Sequence, residues 1–123
     1  MAKRIVLAED DRFLRRACET KLRQCGFEVH TAVDGDEAVT VTKAVVPDLL
    51  LLDLLMPKRD GLGVLRALRE HEPTKDLTVV ILSNSSKELE MKNAASLGAA
   101  AYWVKANMSL QELCEKVKEL LGP

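Results

Sequence analysis

The chain has 123 residues, a length that suits one ordinary domain and lets roughly two-thirds of the unfolded surface be buried without a covalent or metal staple. Apolar residues make up 47% and charged residues 30%, the balance of a soluble globular domain. The formal net charge is −1 with Lys and Arg scattered along the chain, so no basic footprint exists for nucleic acid or an anionic membrane, and neither direct nucleic-acid contact nor membrane insertion is expected.

The opening MAKRIVLAED lacks the apolar core and cleavage site of a secretory signal. Within it, Ile5-Val6-Leu7-Ala8 is a short branched apolar run that reads as a first strand. A helix follows over roughly Arg12 to Gln24 and stops at Gly26, a glycine suited to a C-cap. Phe27-Glu28-Val29 alternates, as a strand near a sheet edge would. A second helix starts at Asp34, with Glu37 three residues on in a capping-box pattern. It carries Ala38, Val41 and Val45 on one face and ends before Pro47.

Asp48 to Leu52 is a continuous apolar run, the mark of a strand buried on both faces. The wider stretch from Val45 to Met56 is interrupted by Pro47, Asp48 and Asp53 and is too short to span a bilayer. A cytoplasmic location is therefore the default expectation. A third helix follows Asp60-Gly61 and carries Val64, Leu65 and Leu68. Leu77 to Leu82 reads as a fourth strand. The fourth helix is predicted to begin near Ser85, with Glu88 completing a capping box, and to run to Gly98. Ala101 to Val104 is the fifth strand. The fifth helix begins at Ser109 with Glu112 as its capping partner, and Leu110, Leu113, Cys114, Val117, Leu120 and Leu121 fall at helical spacing. Gly122-Pro123 closes it. Five alternating strand–helix units imply an α/β domain with a parallel sheet covered on both faces, spanning residues 1–123.

Cys18, Cys25 and Cys114 form neither a CxxC pair nor a zinc spacing. Their odd number, without a secretory signal, argues against a disulfide framework. They are expected to be small buried hydrophobes, with Cys18 on one stripe with Leu14, Leu22 and Cys25.

In an open α/β sheet, ligands bind beyond the carboxyl ends of the strands. Glu9, Asp10 and Asp11 follow the first strand, Asp53 ends the third, Ser83 closes the fourth and Lys105 follows the fifth. Asp53 alone reads equally as a helix cap or a solvated strand end. Beside Glu9 and Asp10 it becomes a candidate ligand. Clustered carboxylates repel unless a cation neutralises them, and hard oxygen donors with room for water suit Mg²⁺. A lysine at the same rim suits an anion such as phosphate.

Four motifs carry a resemblance along the whole chain. They are Ile5-Val6-Leu7-Ala8-Glu9-Asp10-Asp11; Leu52-Asp53-Leu54-Leu55-Met56-Pro57 with Asp60-Gly61; Val80-Ile81-Leu82-Ser83; and Tyr102-Trp103-Val104-Lys105. In this order, each at a strand end, they resemble the receiver domains of two-component response regulators, of the kind seen in chemotaxis regulators. The resemblance implies a doubly wound, flavodoxin-like three-layer sandwich with strand order 2-1-3-4-5. It implies a signalling switch rather than an enzyme, one that promotes its own phosphorylation and dephosphorylation. Asp53 would take a phosphoryl group from a phosphohistidine on a histidine kinase or phosphotransfer protein. Asp10 would bind Mg²⁺ (or Mn²⁺ in its place) directly, Glu9 through water, with Asp53 and the backbone carbonyl of Leu55 completing the set. Lys105 would pair with a phosphoryl oxygen and Ser83 with another, and Tyr102 would change rotamer with Ser83. Output would pass through the fourth helix, fifth strand and fifth helix, including Lys87, Glu88, Glu90, Met91 and Lys92. Kinases would dock near Arg12, Phe13 and Arg16.

Several positions fall outside that pattern. Asp11 lies one place past the acidic pair and reads as an N-cap. Ala106 stands after Lys105, where the family usually has proline, and a cis bond before alanine is costly. Leu55 cannot steer a hydrolytic water, whereas Ser85 could. Trp103 reads as packing, His30 and His71 as surface residues, and Lys58-Arg59 as a solvated loop.

Rival readings fail on particular residues. An aspartyl phosphatase of the D-x-D type would need an acid at position 55, which is leucine. A flavodoxin-like cofactor binder would need a phosphate loop where Glu9-Asp10-Asp11 would repel phosphate. A receiver-like module that only binds partners would not need the full residue set. Whether the chain stands alone or forms part of a larger regulator is left open by the sequence.

Overall fold

A computed structural model describes residues 2–85 and 87–122 of the chain. Position 86, inside the predicted fourth helix, and Pro123 after the last helix lie outside the described residues, as does Met1 of the opening segment.

The strands are β1 (Arg4–Ala8), β2 (Glu28–Ala32), β3 (Leu49–Asp53), β4 (Val79–Ser83) and β5 (Ala101–Val104). They form one parallel sheet in the order β2-β1-β3-β4-β5, as the resemblance implied. The helices are α1 (Arg12–Gln24), α2 (Gly35–Val45), α3 (Gly61–Arg69), α4 (Glu88–Ser96) and α5 (Leu110–Leu121). Single 3-10 turns at Glu72–Thr74 and Lys105–Asn107 were not anticipated.

Strand residues alternate between two cores. Ile5, Leu7, Leu49, Leu51, Val80 and Leu82 face α1 and α5, packing on Cys18, Leu22, Leu113 and Val117. Val6, Leu50, Leu52, Val79 and Ile81 face the other way, onto Ala38, Val64, Leu65, Leu68 and Ala94 of α2, α3 and α4. The four leucines of β3 are fully buried because both faces of the central strand are covered. Each such leucine contributes about 1.5–3 kcal/mol relative to exposure.

Helix starts follow the sequence where a side-chain cap exists. Asp11 caps α1, accepting from Phe13 N (2.9 Å) and Leu14 N (3.0 Å). Asp34 accepts from Glu37 N at 2.8 Å, Asp60 from Gly63 N at 2.8 Å, and Ser109 with Glu112 forms a full capping box. Gly26 adopts φ +97 after α1, a left-handed conformation that glycine takes without strain.

Three expectations change. The fourth helix begins at Glu88 rather than near Ser85, and no Ser85–Glu88 capping box forms. The Ser85 hydroxyl bonds Glu90 instead, while Ser85 N is drawn back to Ser83 Oγ at 3.0 Å. The second strand starts at Glu28, beyond Phe27, and continues through His30 and Thr31 to Ala32, because β1 pairs with it along its whole length. Lys58 and Arg59 lie exposed in a loop, as expected, where Lys58 pairs with Asp34 (3.4 Å) and Arg59 with Asp36 (3.3 Å) at the start of α2.

The third correction concerns the cysteines. Cys25 and Cys114 are joined in a disulfide across a separation of 89 residues. Both were expected as unbonded buried hydrophobes. Only the stacking of α1 against α5 on one sheet face brings them together, which no spacing rule registers. Cys18 remains a buried thiol, as expected.

Candidate functional site

Register places the chemistry. Parallel pairing aligns Ala8 with Leu52, Asp53 with Leu82 and Ser83 with Val104, so the next residues, Glu9 and Lys105, emerge at the same rim. Glu9, Asp53 and Ser83 are buried there, while Asp10 is exposed. Glu9, Asp10 and Asp53 each present a carboxylate oxygen within 4.8 Å of the others.

Lys105 enters from across the end of β4. Its Nζ contacts Glu9 Oε1 and lies 3.3 Å from Asp53 Oδ2. Among the described residues no peptide bond is cis, and the 3-10 turn at Lys105–Asn107 carries the lysine inward with a trans bond to Ala106. The departure at Ala106 therefore leaves the reach of Lys105 intact.

The electrostatics follow from that packing. Burial, then the charge of Glu9, push the Asp53 carboxyl up to about 7, against the opposing pull of Lys105. Burial works against the Lys105 charge as well. The hydrogen bond to Glu9 and the charges of Asp53 and Glu9 outweigh it and hold the ammonium above its ordinary range. One lysine thus offsets only part of the repulsion between two buried acids. Three hard oxygen donors on one side, one of them exposed, fit a divalent cation such as Mg²⁺.

The loop after Asp53 is held by close backbone approach. Gly61 N donates to Leu54 O at 2.8 Å, and a Cβ on Gly61 would fall 2.6 Å from the Asp53 carbonyl oxygen. Gly35 N donates to Pro57 O at 3.1 Å, and a Cβ there would collide with Arg59 O. Leu55 N reaches Asp53 Oδ1 at 3.4 Å, and the Leu55 side chain is largely exposed beside the acceptor.

On the other side, Ser83 Oγ accepts from Ser85 N, and Tyr102 donates its hydroxyl to Ser85 O at 2.8 Å. Ser85, Ser83 and Tyr102 thus form one chain of contacts with Glu90 of α4. Ser85, read from sequence as able to steer water, spends its hydroxyl on Glu90.

Residues 5–118 match the family model described as the response regulator receiver domain. The chain belongs to that family. Its curated relatives include the "Probable transcriptional regulator ycf27" of Cyanophora paradoxa, 37% identical over 97% of this chain and 48% of that protein. The chain spans about half the length of the curated relatives it matches. Among solved structures, the phosphorylated cyanobacterial phytochrome response regulator RcpA is 32% identical, with a TM-score of 0.83 over 98% of this chain and 91% of that one. The Francisella response regulator 1452 receiver domain is 27% identical, with a TM-score of 0.86 over 97% of this chain and 96% of that one. The receiver fold of this chain, a signalling module of two-component systems, is thereby shown.

The remaining sequence candidates of this receiver are spread over its surface. Phe13 projects from α1 at 84% exposure, an aromatic that the packing does not use. Leu89 and Met91 are exposed on α4, where Glu88 and Lys92 pair at 3.2 Å. Trp103 packs toward α5 with the Lys116 ammonium 5.4 Å from its ring centre. His30 bonds Glu28 at 2.9 Å, away from the rim. No helix among the described residues is long and apolar enough to cross a membrane. Sequence reasoning passed over Arg15, which reaches back to the acidic loop, and Gly35. Both act through backbone contacts that only the folded loop creates.

Proposed function

We propose that this receiver is the phospho-acceptor of a two-component phosphorelay, with Asp53 as the acceptor. The observation that carries the reading is the convergence of Asp53, Glu9, Asp10 and Lys105 at one strand rim. In the transfer, an Asp53 carboxylate oxygen forms a bond to phosphorus as the phosphorus–nitrogen bond of a partner phosphohistidine breaks, and the imidazole leaves. Asp10, Asp53 and the Leu55 carbonyl would hold Mg²⁺ directly and Glu9 through water, and the bound ion would supply charge neutralisation for the phosphoryl oxygens. Asp53 must be ionised to attack, and since burial and then the Glu9 charge push its carboxyl up to about 7, a cation held beside these acids would favour the reactive form. Lys105 is released from Asp53 to pair with one phosphoryl oxygen. The Ser83 hydroxyl turns from Ser85 N to another.

That movement would reach the output face. Ser83 is bonded to Ser85, and Ser85 to Tyr102 and Glu90, so withdrawal of Ser83 loosens the start of α4 and frees Tyr102 to turn inward. Phosphorylation thereby biases a two-state equilibrium of α4, β5 and α5. A histidine kinase or phosphotransfer protein docks beside α1 at Arg12, Phe13 and Arg16. The output partner or domain binds the face formed by α4, β5 and α5, with no nucleic-acid contact by this domain itself.

Intact-protein mass after incubation with Mg²⁺ and acetyl phosphate tests the reading. The expected result is a gain of one phosphoryl group, absent in Asp53→Asn and without metal. A gain that persists in Asp53→Asn overturns the assignment.

A further inference from the structure

We propose that Arg15 is a positioning residue for the metal-binding acids, its guanidinium clamping the main chain that carries Glu9 and Asp10. The inference rests on the Mg²⁺ reading above and deepens it. Arg15 lies in the second turn of α1 and is half-buried. Its Nη1 donates to the Glu9 carbonyl at 2.9 Å and to the Asp10 carbonyl at 3.3 Å. Its own backbone N–H donates to Asp11 O at 2.9 Å, so the side chain springs from a rigid part of the helix.

The loop it grips holds three consecutive acids, which repel one another and are drawn apart unless held. Each acid has its own restraint. Asp11 is fixed as the N-cap, and the Glu9 carboxylate is held by Asp11 N at 3.1 Å and by Lys105. The Asp10 carboxylate is exposed, and its direction is set by its main chain. A planar guanidinium can serve two successive carbonyls from one fixed position, which a lysine ammonium on a flexible stem does less well. Partners of this kind behind metal ligands orient them and raise affinity.

Charge and clamping predict opposite signs. A cation beside a cation site weakens metal binding, whereas a hydrogen-bonded clamp strengthens it by fixing the ligands beforehand. Arg15→Met keeps the aliphatic stem and removes the donors. Arg15→Gln keeps an N–H donor and removes the charge. Calorimetric titration of Mg²⁺ into the metal-free full chain, with circular dichroism to confirm folding, separates the two. Arg15→Met is expected to bind Mg²⁺ about 10-fold more weakly, and Arg15→Gln to recover part of that loss.

An Arg15→Met protein that is folded and binds Mg²⁺ as tightly as the unaltered chain, or more tightly, overturns the proposal. If Arg15→Met does not fold, Arg15→Lys replaces it: several-fold weaker binding upholds the clamp, and unaltered binding overturns it. Absence of Mg²⁺ binding by the unaltered chain overturns the functional reading and this inference with it. Mg²⁺ binding by the unaltered chain that is equally tight in the folded Arg15 variants overturns this inference alone.

Discussion

The Lys105 ammonium lies 3.3 Å from Asp53 Oδ2, although the two residues come from strands separated by β4. The same ammonium contacts Glu9, so one cation serves two buried acids. Replacing Lys105 by Met removes the donor proposed for the phosphoryl oxygen. Phosphorylation of Lys105→Met by acetyl phosphate should slow by at least about 100-fold, the usual cost of losing one such donor. Time-resolved intact mass measures it, and a rate near that of the unaltered chain would reject the role.

The burial of Asp53, together with its repulsion by Glu9, predicts a pH effect in the metal-free protein. Burial and the neighbouring Glu9 charge push the folded Asp53 carboxyl up to about 7, from an ordinary value of 3.8. An acid whose folded pKa is raised contributes stability that is present below the unfolded value and lost as pH rises through the folded value. Asp53→Asn removes this group, so without metal the variant should be the more stable at about pH 8, with a melting temperature higher by on the order of 5 °C. The advantage should shrink as pH falls toward about 5. Thermal melts in a chelator decide it: a difference that stays constant across that window contradicts the predicted linkage.

Gly61 is a packing constraint on the acceptor strand. A methyl group there would meet Asp53 O at 2.6 Å and the Leu54 Cα at 2.8 Å, both backbone atoms that cannot swing aside. Gly61→Ala should cost about 1–3 kcal/mol in urea denaturation and impair phosphoryl acceptance by displacing Asp53. Undiminished stability would show that α3 can move away freely.

The Cys25–Cys114 bond closes most of the chain into one loop. Alkylation of the denatured, unreduced protein should label Cys18 alone, and reduction should expose all three thiols. Reduction should lower stability by about 2–4 kcal/mol, chiefly by freeing the unfolded chain. Labelling of three thiols before reduction would contradict the pairing.

Much of this protein was legible in its residues. Apolar runs marked five strands, and capping residues such as Asp11, Asp34 and Ser109 marked helix starts, because strand patterning and N-caps are local rules of pattern and side-chain reach. The rim was legible as well, since Glu9, Asp10, Asp53, Ser83 and Lys105 each stand at or just beyond a strand end. What the sequence could not decide was which side chains share a contact. The disulfide depends on α1 and α5 lying on the same sheet face. Ser85 was drawn out of a capping box by Glu90 and the Tyr102 hydroxyl, and Arg15 found its partners in the carbonyls of a loop five and six residues back. Such contacts are set by the stacking of layers and by exposed backbone groups, which carry no signature in residue type or period. Sequence determined the elements and the rim where they end; tertiary structure alone decided how Glu9, Asp53 and Lys105 divide one positive charge between them.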